Sequence, residues 1–139
     1  MQCSVGGEVH PASTLEPMNT ARLEHEKLRV YAIALEFLTL ATLLVAGFPR
    51  GHAHLADQLR RAAMSICLNI AEGAGEFSRS EKARFYRIGR RSATECAAVP
   101  DMCVRLELGT AEQLSAGRAL LIDIVSILTT MAKNSERQS

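Results

Sequence analysis

The sequence predicts an all-α protein, an antiparallel up-down-up-down four-helix bundle. Apolar residues recur at steps of three and four through four segments, which is the spacing of one helix face. Glycine or proline lies between most of these segments, and the short connections place successive helices beside each other in opposite directions. A chain of 139 residues can bury one core. We expect the bundle at residues 23–133, a mobile N-terminal tail at 1–22 and a C-terminal tail at 134–139.

The first helix is expected at residues 24–46, ending before Gly47. Residues 30–48 carry one charge, Glu36, and approach the length of a membrane span. A helix that is apolar nearly all round can also be buried on two sides. We therefore expect one face inside the bundle, another against a neighbouring subunit, and no membrane partner.

The second helix is expected at residues 53–72, with Gly73 as its stop and Gly73-Ala74-Gly75 as a turn. Its apolar positions recur at helical spacing, so they form one inward stripe. The stripe consists of Leu55, Leu59, Ala62, Ile66 and Asn69 or Ile70.

Capping boxes mark the starts of the third and fourth helices. Ser78 precedes Glu81 by three residues, and Thr110 precedes Gln113 in the same way, so each hydroxyl can accept from the backbone amide three residues on. Gly109 ends the third helix. The fourth helix has the seam Leu114, Gly117, Leu121, Ile124, Leu128 and Met131.

The third helix contains a proline. Its seam is Phe85, Ile88, Ser92, Cys96, Val99, Cys103 and Leu106. Pro100 removes a backbone donor and clashes with the preceding turn. Two outcomes are open: a kink between Cys96 and Pro100, or a helix that ends near Val99 and restarts at Pro100.

The composition limits the possible chemistry. Four cysteines lie apart without a C-x-x-C pair, which indicates reduced thiols in a cytoplasmic protein and no zinc knuckle. No helical spacing of histidines or Glu-x-x-His pairs indicates a metal, and no dinucleotide or phosphate loop is present. We expect no catalytic residues, no cofactor and no enzyme. The net charge is +1, so any nucleic-acid binding must come from a local patch.

One segment of the second helix has a distinctive order. Residues 58–73 read QLRRAAMSICLNIAEG, which places an asparagine among apolar residues before a glycine. The segment resembles a small bacterial four-helix bundle family that includes the 23S ribosomal RNA intervening-sequence proteins and the accessory variability determinants of diversity-generating retroelements. In that family a QLRRAA-type stretch leads into S-I-x-x-N-I-A-E-G. The matching residues are Arg60, Arg61, Ser65, Asn69, Glu72 and Gly73.

The resemblance covers residues 28–131 and implies a ring-shaped homopentamer. The retroelement branch is similar in carrying a basic surface and acting with a reverse transcriptase and its RNA template. From the residues alone, two interpretations of Asn69 and Glu72 stay open. Asn69 fixes helix packing while Glu72 pairs with Arg60, Arg61 or an arginine of a neighbouring subunit, or both line a ligand groove.

The third helix carries a basic cluster. Between residues 79 and 91 there are six basic residues and one acid, a local charge of +5. Arg84, Arg87 and Arg91 fall within about 60 degrees on a helix, where guanidinium groups can contact phosphates. Tyr86 is expected on the outer side, able to stack on an unpaired base. The candidate binding residues are Arg79, Lys82, Arg84, Tyr86, Arg87, Arg90 and Arg91.

The same cluster has a second interpretation, a solvated helix face with Arg91 paired to Glu95. The leading hypothesis is a non-enzymatic oligomeric adaptor that binds RNA, DNA or a nucleic-acid enzyme such as a reverse transcriptase. The alternative is a structural or protein-interaction scaffold that does not bind nucleic acid. An enzyme is the third and weakest hypothesis.

Overall fold

The computed structural model describes residues 21–137, and every regular element within them is helical. A 3-10 turn at Glu24–Lys27 precedes five α-helices. They are α1 (Arg29–Ala46), α2 (Ala53–Gly75), α3 (Arg79–Ala97), α4 (Val99–Leu106) and α5 (Ala111–Arg137). Since α3 and α4 share the segment expected for the third helix, the four-helix pattern is confirmed.

The predicted tails are only partly described. Residues 1–20 of the N-terminal tail at 1–22 lie outside the described residues, as do residues 138–139. The expected C-terminal tail at 134–139 is wrong for its first four residues, because α5 continues to Arg137. The predicted seam ends near Met131, but Ala132 and Ser135 are still buried and continue the inward side of the helix through its last turns.

Four helices enclose one core. Helix α2 packs against α1 and α3, and α5 packs against the same two helices, so the four long helices form a closed ring of contacts. The largest fully buried apolar side chains come from α2 and α5. They include Leu59, Ile66, Ile70, Leu121, Ile124 and Leu128.

The predicted cap residues organise the helix starts. The Thr110 hydroxyl accepts from the Gln113 amide at 3.0 Å, while the Gln113 side chain accepts from the Thr110 amide at 3.1 Å. The Ser78 hydroxyl accepts from the Glu81 amide at 3.3 Å. Capping depends only on neighbouring residues, which is why the sequence predicts it well.

Pro100 lies at the start of a new helix. Helix α3 ends at Ala97 and α4 begins at Val99, so Pro100 occupies the first turn, where its missing N–H has no helical partner to lose. The predicted restart of the helix is therefore confirmed, and the new helix begins at Val99, one residue earlier than predicted. Helix α4 ends at Leu106, before rather than at Gly109, and left-handed Glu107 at φ 56° turns the chain.

The buried side of α3 differs from the predicted seam. Phe85 and Ile88 are only half-buried and Leu106 is 48% exposed, whereas the other predicted seam positions are buried. We call the buried set the inner face of α3. It consists of Ala83, Tyr86, Gly89, Ser92, Ala93 and Cys96. Four of these six residues are Ala, Gly or Ser, so the helix lies close to its neighbours, a preference that counting large apolar residues misses.

Helices α1 and α5 are long and apolar enough to cross a membrane by length and composition alone. In α1, 39% of the apolar window is buried in the chain's own core, and in α5 the share is 22%. Helices of a soluble core pass the same test. In α1 the uncovered part includes Leu35 and Leu43, which are 40% and 61% exposed.

Candidate nucleic-acid interface

A polar network joins α2 to α3 at the asparagine of the distinctive segment. Asn69 Nδ2 donates to the Ser65 carbonyl oxygen at 2.8 Å and to Ser65 Oγ at 3.0 Å. The hydroxyls of Ser65 and Ser92 share a hydrogen bond of 2.8 Å across the two helices. The Asn69 amide nitrogen is thus satisfied by its own helix and by the hydroxyl that links to α3, which agrees with the packing interpretation.

Gly73 is buried inside α2, so the prediction that it stops the helix is wrong. The helix continues to Gly75, and Gly73-Ala74-Gly75 is its last turn. A methyl group at Gly73 would lie 2.6 Å from Tyr86 Cε1. The residue is glycine because the tyrosine ring needs that space.

Tyr86 lies on the inner face, and the prediction of an outward ring is wrong. Its side chain is 3% exposed and fits against Gly73. Burial raises the pKa of the Tyr86 hydroxyl. Tyr86 therefore supports helix packing and cannot stack on a base without leaving the core.

Lys82 closes the end of α2. Its Nζ donates to the carbonyl oxygens of Gly73 and Ala74 at 2.8 and 3.2 Å. The last carbonyls of a helix have no helical partner, and a cation there also interacts favourably with the helix dipole. This contact makes Lys82 a structural cap and removes it from the group of available cations.

Arg84 is exposed but oriented by two neighbours. Its Nε and Nη2 donate to the Glu81 carboxylate at 3.1 and 3.0 Å, and its guanidinium carbon lies 4.6 Å from the centre of the Phe85 ring. The hydrogen bonds and charge of Glu81 raise the pKa of Arg84. The guanidinium is thus held as a flat, charged plate on an aromatic ring.

Arg87 and Arg90 extend toward α5. Arg87 forms an ion pair with Glu136, and Arg90 Nη1 lies 3.5 Å from Thr129 Oγ1. Glu136 is 49 residues away in the chain, so no local sequence pattern pairs it with α3. The Arg87 side chain remains 42% exposed.

Arg91 is exposed and, within residues 21–137, its side chain makes no hydrogen bond or ion pair. The predicted pair with Glu95 does not form. Arg79 is also exposed, at the first position of α3. We call these exposed or half-exposed residues the basic face of α3. Its members are Arg79, Arg84, Arg87, Arg90 and Arg91.

The two arginines early in the distinctive segment have local partners. Arg60 pairs with Asp57 at 2.9 Å, and Arg61 donates to the Gln58 side chain at 2.9 Å. The predicted pairing with Glu72 within the chain is wrong, because helical rise separates Arg60 from Glu72 by about 18 Å. Glu72 is exposed, and among the described residues it has no ion pair.

Phe77 is 100% exposed in the turn between α2 and α3, a position that is not among the residues predicted from the sequence. The signal was its position between Gly75 and the N-cap Ser78, where neither predicted seam continues. It directly precedes the start of the basic face.

The cysteines that the structure describes are buried in the core. The described cysteines, Cys67, Cys96 and Cys103, are buried and free. Burial raises the pKa of the Cys67 thiol to about 11 and that of Cys96 to about 12, which disfavours the reactive thiolate. Across the described part of the chain, no group of three or more His, Cys, Asp or Glu residues could hold a metal ion.

A match to a protein family covers this arrangement. The family described as 23S rRNA-intervening sequence protein matches residues 26–130, which includes α1 to α4 and most of α5. No curated protein matches the chain. Since the match spans well over half of the sequence and the network around Asn69 lies inside it, the chain belongs to the 23S rRNA-intervening sequence protein family.

Proposed function

We propose that the protein is a non-enzymatic oligomeric adaptor that binds nucleic acid through the basic face of α3. It acts alone or with a nucleic-acid enzyme such as a reverse transcriptase. The observation that carries this proposal is that five arginines, four of them exposed and Arg87 half-exposed, lie along one helix of a chain whose net charge is +1. Such a local field attracts a polyanion without making the whole protein a polycation.

The ion pairs of the basic face suit phosphate binding. Glu81 holds Arg84, and Glu136 holds Arg87, while both guanidinium groups stay about half exposed. A phosphate presents oxygen acceptors with a geometry similar to that of a carboxylate and can replace it on a guanidinium fork. Arg91 needs no such exchange, because it has no partner within the described chain.

The outer side of α1 supports an oligomer. Leu35 and Leu43 are exposed there, and the hydroxyls between them are already satisfied: Thr39 donates to the Leu35 carbonyl at 3.2 Å and Thr42 donates to the Leu38 carbonyl at 2.8 Å. These two hydroxyls lose little on burial, because they are already bonded within the helix, whereas the exposed carboxylate of Glu36 must stay at the edge of such a contact. We propose that a second copy covers it in a ring-shaped homopentamer, the assembly that the family resemblance implies.

An antiparallel up-down-up-down arrangement is part of the same proposal. Two pairs of contacts between α2 and α3 support it, since Ser65 meets Ser92 whereas the later Gly73 meets the earlier Tyr86. These contacts indicate that α2 runs in the opposite direction to α3.

Salt dependence tests nucleic-acid binding. Arg84, Arg87 and Arg91 are replaced together by Gln, and affinity for RNA is measured by fluorescence anisotropy over a salt series. We expect log affinity to fall linearly with log salt, with the slope reduced by about two to three units in the variant. The matched control replaces Arg29, Arg105 and Arg118, which are exposed arginines elsewhere. Equal slopes in the two variants would contradict the proposal.

Native mass spectrometry tests the assembly. Leu43→Glu is expected to reduce the oligomer to smaller species, because it places a charge in the proposed contact. Ile122→Glu is the matched control, since Ile122 is 53% exposed on α5. A monomeric parent protein at micromolar concentration would refute the oligomer.

One observation favours the alternative scaffold function. Arg84 and Arg87 already have carboxylate partners, so the free charge of the basic face is smaller than the sequence suggests. A stable oligomer that has no affinity for RNA, single-stranded DNA or duplex at low salt would support the scaffold.

The remaining features of the proposal concern location and chemistry. The free thiols support a cytoplasmic protein, since oxidising compartments favour disulfides. We propose no membrane partner, no cofactor and no catalytic residue. The buried ring of Tyr86 and the cap formed by Lys82 remove two groups from the predicted site.

A further inference from the structure

Phe77 is the most exposed large apolar residue that the structure describes. Its side chain is 100% exposed, compared with 65% for Leu23 and 64% for Leu68. An aromatic ring left entirely in water loses the stabilisation that burial would provide, so folding alone does not explain it.

The residues next to Phe77 in the chain are polar. Glu76 precedes it, and Ser78, Arg79 and Ser80 follow, all of them exposed or half-buried. A protein interface usually presents a continuous apolar centre with a polar rim. An exposed ring that directly precedes the arginines of α3 in the chain instead matches the combination that proteins use for single-stranded nucleic acid: a basic track for the backbone and an aromatic ring on which a base stacks.

The turn that carries Phe77 lies beside the basic face. It leads directly into α3, whose first residue is Arg79 and whose sixth residue is Arg84. The Arg84 guanidinium is itself stacked on Phe85. The exposed ring of Phe77 and the oriented guanidinium group of Arg84 therefore both lie toward the N-terminal end of α3.

We propose that Phe77 stacks on an unpaired base, so that the basic face binds single-stranded nucleic acid in preference to duplex. This inference rests on the proposed nucleic-acid function and names its substrate class. Phe77 takes the role that the sequence assigned to Tyr86. A paired base lies within a stack and cannot present its face to the ring without being unpaired.

The experiment uses the full chain and two probes. One is an unstructured RNA strand of about 20 nucleotides, and the other is the same strand annealed to its complement. Phe77→Ala is expected to weaken single-strand binding by about 5- to 150-fold, the effect of losing one stacked base. Duplex affinity should change less than about twofold, and the salt slope should remain, because no phosphate contact is lost.

Two further variants complete the design. Phe77→Trp keeps a flat aromatic ring and should retain the preference for the single strand. Val104→Ala is the control, since Val104 is 63% exposed on α4, and it should change neither affinity. Native mass spectrometry of each variant checks the assembly.

Each result separates the two proposals. If the parent protein binds both probes with a strong salt slope and Phe77→Ala binds them equally well, the stacking inference is wrong and the proposed function stands. If the parent binds neither probe at about 50 mM salt, both are wrong. If Phe77→Ala dissociates the oligomer, Phe77 belongs to a contact between copies and the inference is again overturned.

Discussion

On its inner face α3 presents Tyr86, Gly89 and Ser92 to neighbouring helices, whereas its basic face presents Arg84 and Arg91 to solvent. The inner face matches α2 in shape and hydrogen bonding. The basic face has exposed charges and partners that a ligand can replace. The difference teaches that the recognisable segment around Asn69 specifies helix packing, while the binding that we propose involves residues outside that network.

The largest expected effect is on the labelling rate of buried cysteines, which tests whether solvent reaches them. With the pKa of Cys67 near 11 and that of Cys96 near 12, the thiolate fraction at pH 8 is about 100-fold or more below that of an ordinary thiol. In a Cys3→Ser variant, labelling of Cys67 and Cys96 by a disulfide reagent, followed at each residue by peptide mass spectrometry, should therefore be at least about 100-fold slower in the folded than in the denatured protein. Labelling at the denatured rate would contradict a closed inner face.

The same shifts give the pH dependence its sign. The folded-state pKa values lie above the ordinary value of 9.0, so folding favours the neutral thiols. The contribution of the two neutral thiols to the free energy of unfolding is complete below about pH 9 and is lost as pH rises toward 11 and 12. Melting temperature should fall over that window, and less so when Cys67 and Cys96 are replaced by Ala, each compared at its own neutral-pH stability.

Tyr86 tests whether the ring serves packing or binding. Tyr86→Ala should reduce the free energy of unfolding by about 3 to 5 kcal/mol, the usual effect of removing a buried aromatic ring. Tyr86→Phe keeps the ring against Gly73 and should be close to the parent in both stability and RNA affinity. Denaturant unfolding measures the first quantity. Unchanged stability with lost RNA binding in Tyr86→Ala would return the residue to the site.

Gly73 and Gly75 form a matched pair in the last turn of α2. A methyl group at Gly73 would lie 2.6 Å from the Tyr86 ring, whereas nothing lies within 4 Å of one at Gly75. Gly73→Ala should destabilise by about 1 to 3 kcal/mol, because the ring must move. Gly75→Ala should be neutral or stabilising by up to about 1 kcal/mol from helix propensity. Thermal melts that rank the two variants in the opposite order would refute the close contact.

Lys82 gives the smallest effect and separates the two faces within one cluster. Lys82→Met removes two hydrogen bonds to carbonyls and should reduce stability by about 1 kcal/mol. Arg91→Gln removes the same charge from the basic face and should leave the melting temperature unchanged while weakening RNA binding. If Lys82→Met weakened RNA binding as much as Arg91→Gln without loss of stability, Lys82 would be a ligand contact.

The sequence predicted features that depend on near neighbours. The cap at Thr110, the seam through Leu121 and Leu128, and the restart near Pro100 follow from residues within a turn or two. The prediction that Gly73 stops α2 is wrong because a glycine can either end a helix or make room for a side chain of another helix. Only the position of Tyr86 decides between these two roles. The pairing of Arg87 with Glu136 likewise depends on which helices meet.

The break at Ala98 has a consequence for motion. Helix α4 has eight residues and buries only Val99 and Cys103, so it is too short to be stable without its neighbours. Helix α3 ends at Ala97 and α4 begins as a separate helix at Val99, so α4 can open while α3 keeps its contacts. A groove of about 330 Å³, lined in part by Leu55 and Met102, lies between α2 and α4. Amide exchange should therefore be faster in α4 than in α3, so that this end of the bundle opens locally while the basic face keeps its geometry.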